Sequence, residues 1–240
     1  MCRVVCRILP LLLLLASCHG QSIKNRQTEA NDRLVSDTAL KEKQMSEDIF
    51  KGVTLRAEAK NTETALVISY TVENQTDGVL YLWDAMIGWE GFTQKIDHDG
   101  AYVFFEEPST VRVIRASLPL PELRQVGRKE IPFTRLLEPK SSLTGKITLR
   151  HPVREYSPYY EPMKEDEQEL KKCSRVRLLI GWTPPKPGMR IDERIVGGEK
   201  VYAIRGGWEA PYQNVLEEML PVNVDLLTYT TTFERQMPLQ

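Results

Sequence analysis

The sequence contains few of the residues that hold metals, and it lacks an excess of charge of either sign. Its three histidines, His19, His98 and His151, lie far apart and have neither the i, i+4 spacing nor the cysteine spacing of a zinc site. Lys and Arg number 32 against 33 Asp and Glu, which gives a net charge of −1. We therefore expect no metal site and no nucleic-acid partner.

Long apolar runs are also missing. The run at residues 8–16 follows Arg3 and Arg7 and is shorter than the roughly 20 residues that span a bilayer. This order of a short positive region and a short apolar run is typical of a cleaved export signal. An ordinary secretory signal, cut after Gly20, would share these features.

The end of this run carries a more specific motif, Leu15-Ala16-Ser17-Cys18. It resembles the lipobox of bacterial lipoproteins, in which the cysteine is diacylated and becomes the first residue of the mature chain. The resemblance implies a signal peptide at residues 1–17 and a lipid on Cys18 that attaches the chain to a membrane of the cell envelope. Since His19 rather than an aspartate follows, it also implies the outer membrane or the cell surface.

Cysteine is scarce enough to exclude an internal disulfide under this interpretation. Cys2 and Cys6 leave with the leader, and Cys18 carries the lipid. Cys173 then has no cysteine partner. We expect it to be a partly buried apolar residue rather than a reactive thiol.

The next segment lacks aromatic residues altogether. Residues 19–48 are polar and show no sustained hydrophobic period, so they cannot bury enough surface to fold alone. We interpret residues 18–49 as the lipidated cysteine with a flexible tether, and residues 50–236 as the folded domain.

Alternating apolar and polar residues dominate the domain, most clearly at residues 65–83, where two such runs flank the turn residues 74–78. The pattern predicts two paired antiparallel strands. About nine such strands with few helices predict a mainly β fold, an antiparallel β-sandwich. The order of strands and turns resembles immunoglobulin-like domains of bacterial envelope proteins, and residues 97–100 are predicted to be the turn of a further hairpin.

Two segments have a helical rather than an alternating pattern. Residues 163–173 form part of an expected insertion at 151–174 and contain a Glu167–Lys171 pair at i, i+4. Residues 211–220 begin with a proline and are followed by another, and they place one apolar stripe at Tyr212, Val215, Leu216, Met219 and Leu220. We predict a short helix in each segment.

The predicted core follows from the inward positions of the strands. It comprises Ile68, Tyr70, Leu80, Leu82, Leu149, Leu178 and Ile180. A second apolar cluster is predicted from Trp83, Trp89 and Phe92.

Two motifs resemble functional sites but lack the further catalytic or metal-binding residues that such sites need. Residues 194–199 (RIVGGE) resemble the activation junction of trypsin-like proteases, but no His or Ser follows Gly198. Residues 97–100 (DHDG) could open a calcium loop, yet the segment that follows lacks further ligands. Both are interpreted as turns, and the chain has no glycine-rich phosphate loop that would predict a nucleotide cofactor.

Candidate binding residues remain in one aromatic and proline-rich loop, at Tyr156, Tyr159 and Tyr160. Exposed aromatic loops on a rigid scaffold often bind partners, although these rings could instead cover the edge of the sandwich. We therefore expect a non-catalytic envelope module that binds a protein or a glycan. A hydrolase with paired carboxylates and a proteinase inhibitor are the alternatives.

Overall fold

The computed structural model describes residues 52–121, 126, 129–162, 164–205 and 213–229, which belong to one compact unit, Lys51–Gln240. Within these residues the chain is mainly β, and no helix is long and apolar enough to cross a membrane. The strands are β1 (Val53–Asn61), β2 (Ala65–Asn74), β3 (Leu80–Glu90), β4 (Thr93–Asp97), β5 (Tyr102–Glu106), β6 (Thr110–Arg115), β7 (Phe133–Leu137), β8 (Ser141–Arg150), β9 (Val153–Arg154), β10 (Gln168–Thr183), β11 (Arg190–Val196), β12 (Glu199–Arg205) and β13 (Asn214–Tyr229).

The strands form two sheets packed as a sandwich, so the predicted β-sandwich is confirmed. The smaller sheet has the order β1-β2-β8, and the larger has the order β11-β12-β7-β3-β10-β13-β9. In addition, β4 pairs with β3, and β5 pairs with β6, which lies parallel to β10. The immunoglobulin-like type of sandwich stays a prediction.

The predicted pairing of the two strands at residues 65–83 is wrong. β2 pairs with β1 and β8 in the smaller sheet, while β3 lies in the larger sheet. Asn74 explains the crossover, because its buried side-chain amide donates to the carbonyls of Gly78 (2.8 Å) and Glu138 (3.0 Å). This asparagine therefore stabilises an arch between the sheets instead of a hairpin turn.

The segment 97–100 is likewise not the turn of a hairpin. β4 before it pairs with β3, whereas β5 after it pairs with β6. The Asp97 carboxylate accepts hydrogen bonds from the backbone N–H groups of Asp99 (3.1 Å) and Gly100 (3.0 Å). This side-chain turn changes the direction of the chain without pairing the two flanking strands.

The helix predicted at residues 163–173 is also wrong. Only Glu165–Glu167 form a single 3₁₀ turn, and β10 begins at Gln168. β10 pairs with β13 along nearly its full length, from Gln168 opposite Tyr229 to Trp182 opposite Asn214. These ladder hydrogen bonds outweigh a local helix preference of a few tenths of a kcal/mol per residue. The predicted insertion at 151–174 thus contains β9 and the beginning of β10.

The helix predicted at residues 211–220 is wrong for a similar reason. Pro211 and Tyr212 lie outside the described residues, and β13 runs from Asn214. Leu216 and Leu220 are buried, as both a helical stripe and an alternating strand require, but Met219 is 41% exposed. Pro221 is accommodated where the pairing of β10 with β13 shifts register, opposite Arg175.

Most of the predicted core is confirmed. Of its seven residues, Leu149 is half-buried. The other six are buried, namely Ile68, Tyr70, Leu80, Leu82, Leu178 and Ile180. The predicted second cluster is wrong for two of its three members, because Trp83 is buried but Trp89 and Phe92 are exposed. Both lie in the β3–β4 hairpin, where β3 has left its pairing with β7.

The turn predicted at Gly197-Gly198 is confirmed. It connects β11 to β12, with Val196 paired to Glu199. Both glycines have positive φ angles, 58° and 86°, which other residues adopt only at a cost. The RIVGGE motif is thus a β-hairpin.

Candidate functional site

An open groove of about 520 Å³ lies at one end of the sandwich. Its walls come from the turn between β4 and β5, from the end of β8 with the following chain, and from Tyr156. Apolar contacts are offered by Tyr102, Val103, Leu149 and Val153, among others, and charged groups by Asp97, Asp99, Glu130, Arg150 and Arg154. The groove therefore combines apolar surface with charged groups of both signs.

The Tyr156 wall is held by the buried carboxylate of Glu155. This carboxylate accepts hydrogen bonds from the backbone N–H groups of Phe105 (2.5 Å) and Tyr229 (3.0 Å), and from the hydroxyl of Thr228. Glu155 is only 7% exposed, so these donors replace the water that an isolated buried charge would lose. The backbone next to Tyr156 is thereby joined to both β5 and β13.

Tyr156 itself is fixed by an isolated antiparallel bridge to Val103. The two backbone N–H groups donate to each other's carbonyl oxygens at 2.9 and 2.8 Å. The Tyr156 ring stacks on the buried ring of Tyr102, with centroids 6.2 Å apart and an angle of 28° between the planes, yet it stays 52% exposed. One ring is thus presented to the groove from a rigid backbone.

The phenol of Tyr156 is a neutral hydrogen-bond donor at physiological pH. Partial burial is the main cause that raises its pKa above the ordinary value of 10, and the negative charges of Glu130 and Asp97 raise it further. The hydroxyl can therefore donate to a ligand as well as accept from it.

The wall formed by the turn between β4 and β5 is positioned by Arg115, a residue that is 2% exposed. Its Nε donates to the carbonyl of Gly100 (2.9 Å), and Nη2 donates to the carbonyls of His98 (2.6 Å) and Lys146 (3.0 Å). The turn that carries Asp97 and Asp99 is thus tied to β6 and to β8.

Arg115 also belongs to a buried polar network between the two sheets. Its Nη1 donates to the Tyr70 hydroxyl (2.9 Å), which donates to Asp84 Oδ2 (3.2 Å). Arg135 completes the network with Nε donating to Asp84 Oδ1 (2.9 Å) and a second, short ion pair to Oδ2. Burial is the main cause that raises the pKa of Tyr70, the charge of Asp84 adds to it, and Arg115 opposes it.

The third wall follows β8. The backbone N–H of Thr148 donates to the carbonyl of Asp99 (3.3 Å), and that of His151 donates to the carbonyl of Thr64 (3.0 Å). The His151 ring shares a hydrogen bond of 2.5 Å with the Asn61 side chain. Arg150 and Arg154, in contrast, are exposed and line the groove, and Arg154 Nη1 also donates to Gln168 Oε1 (3.3 Å).

The structure separates the three tyrosines that the sequence singled out. Tyr159 is 9% exposed, packs in the core cluster that contains Tyr102 and Leu179, and donates its hydroxyl to the carbonyl of Glu130 (3.3 Å). Burial raises the pKa of Tyr159 to about 12. Tyr160 is half-buried against the same cluster, so Tyr156 alone of the three is exposed.

The two cysteines of interest differ in what the structure describes. Cys18 lies outside the described residues. Cys173 is 3% exposed, and burial raises its pKa to about 11, so the thiol is protonated at neutral pH. This agrees with the expected apolar role. Among the described residues, no group of three or more His, Cys, Asp and Glu side chains could hold a metal ion.

No family description, curated protein or solved structure matches this chain.

Proposed function

We propose that the chain is a lipid-anchored protein of the bacterial envelope, and that its β-sandwich binds a glycan without chemical conversion through the groove at Tyr156. The observation that carries the proposal is this exposed ring, stacked on Tyr102 and fixed through its backbone to Val103. A preformed ring loses little conformational freedom on binding, which favours affinity.

A glycan fits the groove better than a purely apolar ligand would. The C–H faces of a sugar ring are apolar and pack on an aromatic face, while its hydroxyls both donate and accept hydrogen bonds. The residues that line the groove include Tyr156, the acidic residues Asp99 and Glu130, and the basic residues Arg150 and Arg154. Carboxylates accept and guanidinium groups donate, so both functions of a hydroxyl find partners.

The predicted tether is consistent with an envelope location. A flexible segment of about 30 residues has a root-mean-square reach of roughly 30 Å, which would let a lipid-anchored domain reach polymers near the membrane surface. The Cys18→Ser variant should lose membrane attachment. An intact mass showing an unmodified chain that begins at Gln21 would contradict lipidation.

Co-sedimentation with purified, insoluble peptidoglycan, and binding to lipopolysaccharide as a second probe, tests the glycan proposal. Tyr156→Ala should weaken binding at least tenfold, because loss of an aromatic contact of about 1.5 kcal/mol corresponds to that factor. Phe92→Ala is the matched control, since it removes an exposed aromatic ring outside the groove. Equal binding by the two variants would contradict the proposal, and capture of a peptide instead would assign the groove to a protein partner.

A hydrolase remains the second candidate because three carboxylates, Asp97, Asp99 and Glu130, line the same groove. Asp97 is the least suited to catalysis, since its Oδ1 already accepts two backbone hydrogen bonds. Release of reducing ends from the glycan, abolished in both Asp99→Asn and Glu130→Gln, would favour catalysis by paired carboxylates. Binding without release of reducing ends would support the non-catalytic function.

A further inference from the structure

The β3–β4 hairpin carries two large apolar side chains into solvent. Trp89 is 55% exposed and Phe92 is fully exposed. Glu90 pairs with Thr93, so Gly91 and Phe92 form a two-residue turn, and Gly91 has a φ of 59°. Glycine at the first position of such a turn meets its backbone requirement and places Phe92 at the extreme end of the hairpin.

The base of this hairpin is anchored in the domain. β3 and β4 pair from Met86 opposite Asp97 to the turn. Ala85 and Ile96 pack with Val196 and Val201 of the β11–β12 hairpin in a buried cluster. The two exposed rings are therefore presented by a fixed support.

We propose that the tip formed by Trp89 and Phe92 docks into the headgroup region of the bilayer to which Cys18 anchors the chain. This step rests on the proposed lipid anchor. The tip carries a single charged residue, Glu90, between positions 89 and 94. Tryptophan and phenylalanine are the residues that favour the membrane interface, and a bilayer accepts a protruding ring without a matching pocket.

The position of the tip relative to the start of the domain supports the bilayer as the occupant. The chain enters the sandwich at Gly52, whose carbonyl accepts a hydrogen bond from Gln75 in the arch that leads into β3. β3 then runs from Leu80 to Glu90, and ten steps of about 3.3 Å place the tip roughly 30 Å from that entry. In an orientation with β3 perpendicular to the bilayer, a tip in contact with the membrane thus requires a tether that spans about 30 Å.

The predicted tether has this length. Between Cys18 and Gly52 lie 33 residues, the predicted tether and residues 50 and 51, and a flexible segment of that size has a root-mean-square end-to-end distance of about 30 Å. The effective concentration of a tethered group is highest when this distance matches the span to be bridged. The length of the chain between Cys18 and the domain therefore favours contact between the tip and the bilayer.

Quenching of tryptophan fluorescence by brominated phospholipids tests the proposal. For this experiment, the chain that begins at Cys18 is coupled through the Cys18 thiol to a maleimide lipid in vesicles of phosphatidylethanolamine and phosphatidylglycerol. Cys173 should not react, because it is buried and its pKa is raised. The wild type should show a quenched, blue-shifted emission component. Trp89→Phe should remove that component, because Trp83 and Trp182 are buried and Trp208 is common to both chains.

Two further variants sharpen the result. Phe92→Ser should reduce quenching of Trp89, whereas Tyr156→Ala in the groove should leave it unchanged. Deleting residues 21–48 leaves five residues between Cys18 and Gly52, which extend to at most about 20 Å; this is too short for the perpendicular orientation and should reduce quenching. Identical quenching in wild type and Trp89→Phe would overturn the proposal and leave the tip to a protein partner. Since the lipid is attached chemically, this outcome is independent of whether Cys18 is acylated in the cell.

Discussion

Gly145→Ala should destabilise the domain, although glycine is normally the weaker residue in a strand. A Cβ atom at position 145 would lie 2.1 Å from Cζ and 2.2 Å from the hydroxyl oxygen of Tyr70. Neither side can move easily, since β8 is paired with β2 along its whole length and the Tyr70 hydroxyl is bonded to both Asp84 and Arg115. Overpacking of this kind costs about 1–3 kcal/mol.

The cost rises if the ring of Tyr70 is expelled. Asp84 and Arg115 would then lose a buried partner, at about 1–3 kcal/mol for a group left unsatisfied. We therefore expect a loss of about 3 kcal/mol in the free energy of unfolding, measured by urea denaturation. The double variant Gly145→Ala, Tyr70→Leu should show a favourable coupling energy, because the smaller side chain makes room for the methyl group. A loss below about 0.5 kcal/mol for Gly145→Ala alone would refute this reasoning.

Three further predictions concern stability. Ile68→Ala should cost about 2–5 kcal/mol in denaturant unfolding, as expected for a fully buried side chain, and a cost well below 1 kcal/mol would mean that the residue does not lie in the core. Because the folded-state pKa of Tyr70 is raised above its unfolded value of 10, the contribution of Tyr70 to stability should be constant below about pH 9 and fall above pH 10. Tyr70→Phe should reduce the slope above pH 10 by up to about 1.4 kcal/mol per pH unit, and an unchanged slope would contradict the assignment. Tyr159→Ala should lower the melting temperature far more than Tyr156→Ala, since Tyr159 is 9% and Tyr156 is 52% exposed; equal losses in a thermal scan would contradict this placement.

Local patterns predicted the strands but not how they pair. Ile68 and Tyr70 flank the polar Ser69, and both are buried on one face of β2, as period-two burial requires. The alternating pattern does not, however, predict which strands pair with β2. Asn74 is a typical turn residue, but its side chain reaches Glu138, 64 positions further along the chain, and so directs β3 into the other sheet.

The failed helix at 211–220 shows a second limit. Leu216 and Leu220 lie four positions apart, a spacing compatible with both a helical stripe and an alternating strand. The pairing of β13 with β10 decides between the two, and this pairing joins residues about 30–60 positions apart in the sequence. A local pattern contains no information about it.

The candidate site was predicted only in part, because its supports are polar residues with distant partners. Tyr156 lay in the aromatic loop that the sequence identified. Glu155, in contrast, is buried by contacts with Phe105 and Tyr229, which are 50 and 74 positions away. In the sequence, nothing distinguishes Arg115 from other charged residues at strand ends. Its role follows from the fold, in which it donates to the carbonyls of Gly100 and Lys146. Neither residue belongs to a motif with fixed spacing.

The most direct test of the proposed function is a map of where the glycan binds. Backbone amide shifts should be recorded by NMR as soluble fragments of peptidoglycan or lipopolysaccharide glycan are added to the mature chain. We predict shifts at residues 97–103 and 148–156, and their loss in Tyr156→Ala while the rest of the spectrum is retained. Shifts confined to another surface, such as the β11–β12 hairpin, or no shifts with either glycan, would contradict glycan binding through the groove.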